Sequence, residues 1–257
     1  MPEEMSTRPP LAGKVVLVVG ASLGIGADAA RVLAADGAAL MLVARGAEPL
    51  AALTKELTER GHDVAYTTGD VSDPASVAAF VDATVDRYGR LDGAYNNAAV
   101  TQGGRLDQVP EEEFDRIMSV NVKGTWLCLR EEVRVMERQG FGSIVNTSSI
   151  GGLRGSSGMG AYQATKHAVI GLTRTAAHDF GPLGIRVNVI APGPTETPML
   201  AQTRLAIPGG VEARIAATPL RKAGTGSEVG ATAAFLLSDR ASHISGAVLP
   251  VDGGFSA

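Results

Sequence analysis

The sequence has little of several features that would indicate particular classes of protein. Cys128 is its single cysteine, so no disulfide can form within the chain, and no Cys/His cluster has the spacing of a zinc site. No apolar stretch approaches the length needed to span a bilayer. The first ten residues are polar and lack the basic start and apolar run of a signal peptide. We therefore expect a cytoplasmic protein with no metal ion and no membrane partner.

An excess of positive charge is also lacking. The chain has 23 Lys and Arg against 27 Asp and Glu, and no basic block. Nucleic-acid-binding domains carry clustered Lys and Arg, so we expect no nucleic-acid partner. The hydrophobic content of 45% is that of a globular protein rather than a disordered chain. A length of 257 residues suits one α/β domain.

Short apolar runs alternate with longer amphipathic stretches along the chain. Continuous apolar runs indicate strands buried on both faces of a sheet, and strand–helix alternation indicates a parallel, doubly wound arrangement. We predict a single α/β domain over 13–257, with about seven strands flanked by helices on both faces, after a flexible arm over 1–12. The predicted strands are 14–19, 40–44, 64–68, 93–96, 143–147, 185–191 and 247–251, and the predicted helices are 25–36, 48–60, 74–88, 111–139, 162–180 and 227–238.

The least regular stretch is 198–226, which contains Pro208-Gly209-Gly210. A long irregular segment in a compact domain is typical of a functional or mobile element. We expect these three residues to act as the hinge of a lid.

A glycine-rich segment follows the first predicted strand and precedes the first predicted helix. In a dinucleotide-binding turn, one glycine permits the tight turn, another lets the backbone approach the pyrophosphate, and a third lets helix and strand pack closely. The helix N-terminus adds free N–H groups and a partial positive charge. Glycines after a strand also occur in ordinary turns, but this position predicts a dinucleotide site at Gly20, Ser22, Leu23, Gly24, Ile25 and Gly26.

The end of the second predicted strand bears on the choice of cofactor. An acid there would bind the 2′-hydroxyl of NAD, but this strand ends with Ala44 and Arg45. A guanidinium can pair with a 2′-phosphate; alternatively, Arg45 is a solvated surface residue or stacks on adenine. Leu23 adds no charge for a phosphate. We favour NADP(H), with NAD(H) as the alternative.

Tyr162 and Lys166 stand four residues apart, on one face of a predicted helix. A free tyrosine has a pKa of about 10, too high for efficient proton transfer near neutrality, and a nearby cation lowers it. Such a pair often arises by chance. Ser149 follows a predicted strand, where its hydroxyl can bind a substrate oxygen. Ser148 is the alternative, and only the spacing favours Ser149.

These residues and further motifs make the sequence resemble the short-chain dehydrogenase/reductase family over about 11–255. The resemblance implies a Rossmann-type fold, a nicotinamide cofactor, and oxidoreductase activity on a carbonyl or secondary alcohol. The matching motifs are Gly20–Gly26, Asp70-Val71, Asn96-Asn97-Ala98, Asn121, Ser149, Tyr162-x-x-x-Lys166, Pro192-Gly193 with Thr197, and Val251-Asp252-Gly253-Gly254.

The resemblance also implies a role for each catalytic residue. Tyr162 would be the general acid in reduction and the base in oxidation, and Ser149 would orient the substrate oxygen. Lys166 would bind the nicotinamide ribose and tune Tyr162. Asn121 would hold a water that links Lys166 to solvent.

Further cofactor contacts follow from the same resemblance. Asp70 and Val71 would flank the adenine, although a loop cap and a core contact are the alternatives. The resemblance places the remaining cofactor residues around the nicotinamide and its approach, at Ala98, Ala99, Pro192, Gly193, Thr195 and Thr197. Asn97 would support the sheet or approach the cofactor, although turns favour asparagine in any case. Without the resemblance, Pro192-Gly193 would indicate only a turn.

Besides Leu23, which is not basic and so adds no charge for a 2′-phosphate, two residues depart from the family pattern. Val19 occupies a position where Ser or Thr commonly braces the glycine turn. Ala99 replaces a glycine, and if the backbone there has a positive φ, its Cβ is unfavourable. Both departures concern local geometry rather than the reaction.

Apolar residues near the tyrosine and in the 198–226 stretch are the substrate candidates. They suit a neutral carbonyl or alcohol with a hydrophobic body, although core packing is an alternative for each. Arg154 and Arg204 are candidates for an acidic substrate group or for solvated surface residues. The apolar candidates are Ile150, Leu153, Met159, Pro194, Met199 and Leu200.

Two predicted helices carry apolar residues beyond the needs of one core, namely Trp126, Leu127, Leu172 and Ala176. The resemblance implies a homotetramer or a homodimer, and a helix buried within the monomer is the alternative. Two further functions stay open. One is the same chemistry with NAD(H) on a diol, sugar or steroid-like alcohol. The other is a non-catalytic nucleotide-binding regulator, against which the intact Asn121, Ser149, Tyr162 and Lys166 set argues.

Overall fold

A seven-stranded parallel sheet forms the centre of the protein. The computed structural model describes residues 8–206 and 209–257, and the strand order is β3-β2-β1-β4-β5-β6-β7. The predicted parallel sheet of about seven strands is confirmed. The strands are β1 (Val15–Val19), β2 (Ala39–Ala44), β3 (Val64–Thr68), β4 (Gly93–Asn96), β5 (Gly142–Thr147), β6 (Ile185–Pro192) and β7 (Val248–Val251).

Helices cover both faces of this sheet. Side chains alternate along each strand, so Val16 and Val18 pack on one face with α1, α2 and α9. Leu17 and Val19 pack on the other face with α3, α5 and α6. The helices are α1 (Gly24–Ala35), α2 (Ala47–Glu59), α3 (Pro74–Tyr88), α4 (Glu111–Met118), α5 (Gly124–Gln139), α6 (Gly160–Phe180), α7 (Pro198–Ala206), α8 (Gly210–Ala217) and α9 (Gly226–Leu237).

The start of α3 shows how local sequence determines a boundary. The Asp73 carboxylate accepts hydrogen bonds from the N–H groups of Ala75 and Ser76, both at 3.2 Å, and Pro74 occupies the first turn. Both features stabilise a helix N-terminus.

The predicted helix over 111–139 is divided in the structure. A five-residue π-helical segment, Ser119–Lys123, lies between α4 and α5. The helical period of the sequence does not reveal one additional residue in a turn, which is why the prediction of a continuous helix was wrong.

The 198–226 stretch is more regular than predicted, because it contains α7 and α8. The Thr197 hydroxyl accepts a hydrogen bond from the N–H of Leu200 at 3.2 Å and so caps α7. Pro208 of the predicted hinge lies outside the described residues. Gly209 has a φ of 74° and precedes α8, and its role as a hinge stays a prediction.

The packed structure begins before residue 13, where the domain was predicted to start. Residues 1–7 lie outside the described part of the chain. Leu11, by contrast, is fully buried, and its N–H donates to the Asp36 carbonyl at 2.9 Å. The packed structure therefore includes residue 11. Within the described residues, none of the helices is long and apolar enough to cross a membrane.

Candidate active site

One cavity of about 800 Å³ opens at the carboxyl ends of β1, β4, β5 and β6. In a doubly wound sheet, this edge is where ligands bind, at the point where the strand order reverses. Most of the predicted site residues line this cavity. Gly26, Asn121, Leu153 and Arg204 are the candidates that do not.

The glycine turn at the end of β1 needs its glycines. Gly20 has a φ of 86°, and a Cβ there would lie 2.6 Å from the Ala98 backbone nitrogen. A Cβ on Gly26 would collide with the Gly20 carbonyl oxygen. The turn therefore tolerates no side chain at either position, as a close backbone approach requires.

The turn is stable without a hydroxyl at Val19. The N–H groups of Gly20 and Ala21 both donate to the Val43 carbonyl, at 2.8 and 3.0 Å. The Asn97 amide donates to the Gly20 carbonyl at 3.3 Å. These bonds brace the turn from β2 and from the end of β4.

Ala99 does not carry the expected strain. Arg221, with a φ of 50°, is the only non-glycine residue with positive φ in 8–206 and 209–257. Ala99 therefore adopts an ordinary backbone conformation, and the conformational cost considered for it was wrong.

The start of α1 fits a dinucleotide phosphate. In the described chain, no side chain caps this helix, and its first turn carries no acidic residue. The first N–H groups of a helix lack partners within it, and together with the helix dipole they favour an anion. Leu23 and Gly24, at this end of the helix, both line the cavity.

Arg45 and Asp70 lie together at the expected adenosine end. The Asp70 carboxylate accepts hydrogen bonds from the Ser72 N–H and hydroxyl, at 2.8 and 2.7 Å. These bonds, with the nearby Arg45 guanidinium, hold the pKa of Asp70 below its ordinary value. Asp70 therefore caps its own loop and stays ionised, which partly offsets the positive charge that Arg45 offers a phosphate.

Val71, beside this pair, both lines the cavity and belongs to the core. It is 8% exposed, and its Cγ2 would lie 2.8 Å from a Cβ placed on Gly124. The core contact considered as an alternative role is therefore present.

Ser149 and Tyr162 lie beside each other at the cavity wall. The Ser149 hydroxyl accepts from the N–H of Gly151 at 3.0 Å. The Ser148 hydroxyl instead donates to the Lys166 carbonyl at 2.8 Å. The structure thus separates the two adjacent serines, and Ser149 is the one beside the phenol.

Lys166 lies one helical turn after Tyr162, as predicted. Its Nζ donates to the Thr147 carbonyl at 2.9 Å and lies 5.5 Å from the centre of the Tyr162 ring. Burial lowers the pKa of Lys166 to about 8.

The ionisation of Tyr162 differs from the expectation. Burial raises the pKa of the phenol, and the neighbouring Ser149 hydroxyl opposes that rise. The net shift of this pKa is therefore upward, opposite to the lowering that was predicted, because loss of hydration dominates.

Asn121 lies in the π-helical segment behind the cavity and is 1% exposed. Its amide oxygen accepts from the Val100 N–H, and its amide nitrogen donates to the Val100 carbonyl, both at 2.9 Å. The same nitrogen donates to the Thr165 hydroxyl at 3.0 Å, which donates to the Tyr162 carbonyl at 2.6 Å. The side chain therefore fixes the Val100 loop to the catalytic helix. Sequence reasoning missed Thr165, whose hydroxyl gave no sign of this role.

The residues after β6 form the expected nicotinamide end. A Cβ on Gly193 would lie 2.8 Å from the Asp252 Cα. The Thr195 hydroxyl donates to the Gly193 carbonyl at 3.0 Å, and the Thr197 hydroxyl donates to the Thr195 carbonyl at 3.1 Å. Both threonines therefore shape this loop, and both line the cavity with Pro192.

The substrate candidates divide into two groups. Ile150, Met159, Pro194, Met199 and Leu200 line the cavity, whereas Leu153 is an exposed residue outside it.

The two candidate arginines also differ. Arg204 pairs with Glu196 at 2.7 Å and Glu212 at 3.0 Å, which ties α7 to α8, so it is not a substrate ligand on the cavity wall. Arg154 lines the cavity. Val211 and Phe255 also line it, and the sequence analysis did not select either.

The model of the family described as enoyl-(acyl carrier protein) reductase matches residues 20–256. The chain belongs to the short-chain dehydrogenase/reductase family. Its members bind a nicotinamide dinucleotide and act on CH–OH or C=O groups, so this chain is an oxidoreductase of that type.

Sequence and structure comparisons agree on the family. The chain is 41% identical to levodione reductase of Leifsonia aquatica, covering 95% of this chain and 94% of that protein. The crystal structure of a levodione reductase superposes with a TM-score of 0.92, at 39% identity over 96% of this chain and 98% of that one.

Two other similar proteins have names that include a substrate or a cofactor. A 2,5-dichloro-2,5-cyclohexadiene-1,4-diol dehydrogenase of Sphingobium indicum is 40% identical, over 96% of this chain and 98% of that protein. An actinorhodin polyketide ketoreductase solved with NADPH has a TM-score of 0.90, at 32% identity over 95% of this chain and 97% of that one.

Proposed function

We propose that this enzyme transfers a hydride between NADP(H) and a carbonyl or secondary alcohol, with Tyr162 as the general acid and base. The observation that carries the proposal is the placement of Ser149 and Tyr162 beside each other at the cavity wall, with the Lys166 ammonium near the same ring. The cofactor, when bound, supplies or accepts the hydride.

The side chains of the chain itself handle the proton. The Ser149 hydroxyl donates a hydrogen bond to the substrate oxygen and stabilises the charge that develops on it. In reduction, Tyr162 gives its phenolic proton to that oxygen, and in oxidation the phenolate takes it back. The positive charge of Lys166 stabilises the phenolate. Asn121 and Thr165 hold the first turn of α6 in place, so the phenol stays aligned.

The substrate is a neutral molecule with an apolar body. The side chains of Ile150, Met159, Met199 and Leu200 around the catalytic pair are apolar, and such a lining favours a hydrophobic ligand with few polar groups. A relative named for a cyclohexadiene diol supports a substrate that carries a ring.

The decisive experiment replaces Tyr162 by phenylalanine. Loss of a positioned general acid lowers turnover by about 100-fold or more, while binding of the reduced cofactor, followed by its fluorescence, is retained. Tyr66→Phe is the matched control, because Tyr66 is 40% exposed and lies outside the cavity. Full activity in Tyr162→Phe would contradict the mechanism. Tight cofactor binding in the wild type without turnover of any ketone or alcohol would favour a regulatory protein.

The cofactor preference depends on Arg45. The absence of an acid at the end of β2 and the NADPH of the related ketoreductase support NADP(H). We expect Arg45→Ala to reduce the ratio of NADPH to NADH affinity by about tenfold, the value of a bidentate charged hydrogen bond. An unchanged ratio would mean that Arg45 does not recognise the 2′-phosphate.

A further inference from the structure

The segment after β7 turns back to the catalytic cavity, and Phe255 lines the same cavity as Ser149 and Tyr162. Its backbone is held by Asp252, whose carboxylate accepts hydrogen bonds from the N–H groups of Gly254 and Ser256, both at 2.9 Å. The Ser256 hydroxyl also donates to this carboxylate at 2.6 Å.

The turn that carries Phe255 is fixed from outside as well. The Leu220 N–H, in the segment after α8, donates to the Gly253 carbonyl at 3.1 Å. Phe255 is therefore part of a braced turn, and its ring position is defined by the fold.

Arg154 contacts both the ring and the backbone of Phe255. Its guanidinium carbon lies 4.9 Å from the ring centre, and its Nη1 donates to the Phe255 carbonyl at 3.2 Å. Arg154 comes from the segment directly after Ser149 and also lines the cavity. One side chain thus contacts both the face and the backbone of Phe255, a geometry in which cation–π attraction and a hydrogen bond act together.

We infer that Phe255, held by Arg154, is a rigid wall of the substrate cavity that selects substrates whose reacting carbon belongs to a ring. The inference rests on the proposed function and deepens it. A flat aromatic face makes its largest contact with a compact, apolar body. An open-chain substrate must lose torsional freedom to lie against it, whereas a ring has already lost that freedom. Because Phe255 is already held in place, substrate binding does not require it to lose further conformational freedom.

The test compares two substrates of equal carbon number, cyclohexanol and 2-hexanol, by kcat/KM in the wild type and in Phe255→Ala. We expect the ratio of the cyclic to the open-chain value to fall about tenfold, a discrimination typical of one lost apolar contact. Binding of the reduced cofactor should not change.

Phe141→Ala is the matched control. Arg90 lies over the Phe141 ring at 5.3 Å, but this pair lies at the amino end of β5 and outside the cavity. The ratio should not change in that variant.

Arg154 is a positioning residue in this inference, because it affects the choice of substrate only by holding Phe255 in place. Arg154→Ala should lower the same ratio by less than Phe255→Ala, mainly through KM rather than kcat. The double variant should be no worse than Phe255→Ala alone, because residues in contact are not additive.

The outcomes separate the inference from the proposed function. An unchanged ratio, or an equal loss for both alcohols, in an active Phe255→Ala enzyme would overturn the inference alone. A wild type that oxidises neither alcohol, and reduces neither corresponding ketone, with either cofactor would overturn the proposed function and the inference with it. If Phe255→Ala does not fold by thermal melting, Phe255→Leu keeps apolar bulk, removes the flat ring, and should show the same fall in ratio.

Discussion

Glu132 is a buried carboxyl group remote from the chemistry. It lies on α5 with no exposed surface, and its Oε2 accepts from the Asn96 amide at 3.0 Å. In the described part of the chain its Oε1 has no partner. Burial raises the pKa of Glu132 to about 8, against the lowering effect of Asn96. The group is therefore largely protonated at neutral pH.

The raised pKa of Glu132 makes the free energy of unfolding depend on pH in a definite direction. Between the ordinary pKa of a glutamate and about 8, the folded state keeps a proton that the unfolded chain releases. The contribution is complete at low pH and is lost as the pH rises through about 8. We expect the free energy of unfolding of the wild type to fall between about pH 4.5 and about pH 8, by up to a few kcal/mol relative to Glu132→Gln, which stays neutral.

Urea unfolding across that pH range measures this difference. Glu131→Gln is the control, because the neighbouring Glu131 is also largely buried but is paired with Arg130 and Arg134. Parallel pH profiles for the wild type and Glu132→Gln would show that the folded protein does not hold the extra proton.

Lys166 gives a second pH prediction, for activity. With its pKa lowered to about 8 by burial, it loses its charge as the pH rises through that value, and the phenolate of Tyr162 loses its stabilising cation. The rate of ketone reduction should therefore fall above about pH 8. Lys166→Arg stays charged throughout, so any residual activity should show no fall there. The measurement is a pH profile of kcat/KM, and the same fall in both proteins would assign it to another group.

At the scale of elements, the π-helical segment between α4 and α5 explains why Asn121 reaches both Val100 and Thr165. A wider turn displaces side chains from the regular helical positions, and such turns occur often at functional sites. Asn121→Ala leaves the Val100 N–H, the Val100 carbonyl and the Thr165 hydroxyl without their partner. We expect the free energy of unfolding to fall by about 2–3 kcal/mol and turnover to fall with it.

Thermal or urea unfolding measures that effect, and Ser119→Ala tests the same segment without removing these bonds. If both variants lose the same stability, the contacts of Asn121 do not carry the effect.

The regular elements could be predicted because their signals are local. The apolar runs located all seven strands to within one residue at each end, since a strand buried on both faces must be apolar throughout. α7 and α8 have nine and eight residues, too few to be stable alone. Their stability depends on contacts between neighbouring segments, such as those of Arg204 with Glu196 and Glu212.

The residues of the site divide in the same way, into those that lie in local motifs and those that only the fold brings together. The glycine turn, Ser149, Tyr162 and Lys166 lie in short motifs, so their combined resemblance to the family was sufficient to select them as candidates. Arg154 and Phe255 are separated by 101 residues, and only the path of the chain after β7 brings them together. No local pattern distinguishes Phe255 from any other aromatic residue.

At the scale of the whole molecule, exposed aromatic rings on α4 and α5 indicate a surface for self-association. Trp126 is 45% exposed and Phe114 is 40% exposed, and the Arg130 guanidinium lies 5.1 Å from the Trp126 ring. Aromatic residues and arginine are enriched where protein surfaces meet. We propose that this surface joins subunits in a homodimer or homotetramer.

Trp126→Glu should weaken that assembly, because a carboxylate in an apolar interface loses its hydration. Sedimentation velocity should show a smaller species than the wild type at equal concentration. Tyr66→Glu, on β3, adds the same charge to another exposed aromatic position and should leave the assembly intact. A wild type that sediments as a monomer would contradict the proposal.

The packing of the first helix against the last has a consequence for the synthesis of the protein. Gly230 of α9 lies so close to α1 that a Cβ there would be 2.7 Å from the Ala29 Cα. α1 ends at Ala35, and α9 begins at Gly226. At a ribosomal rate of about 5–20 residues per second, roughly 10–40 s pass between the two. During that time the inner face of α1 has no final partner, so a nascent chain stopped before α9 leaves apolar surface open to chaperones and to aggregation.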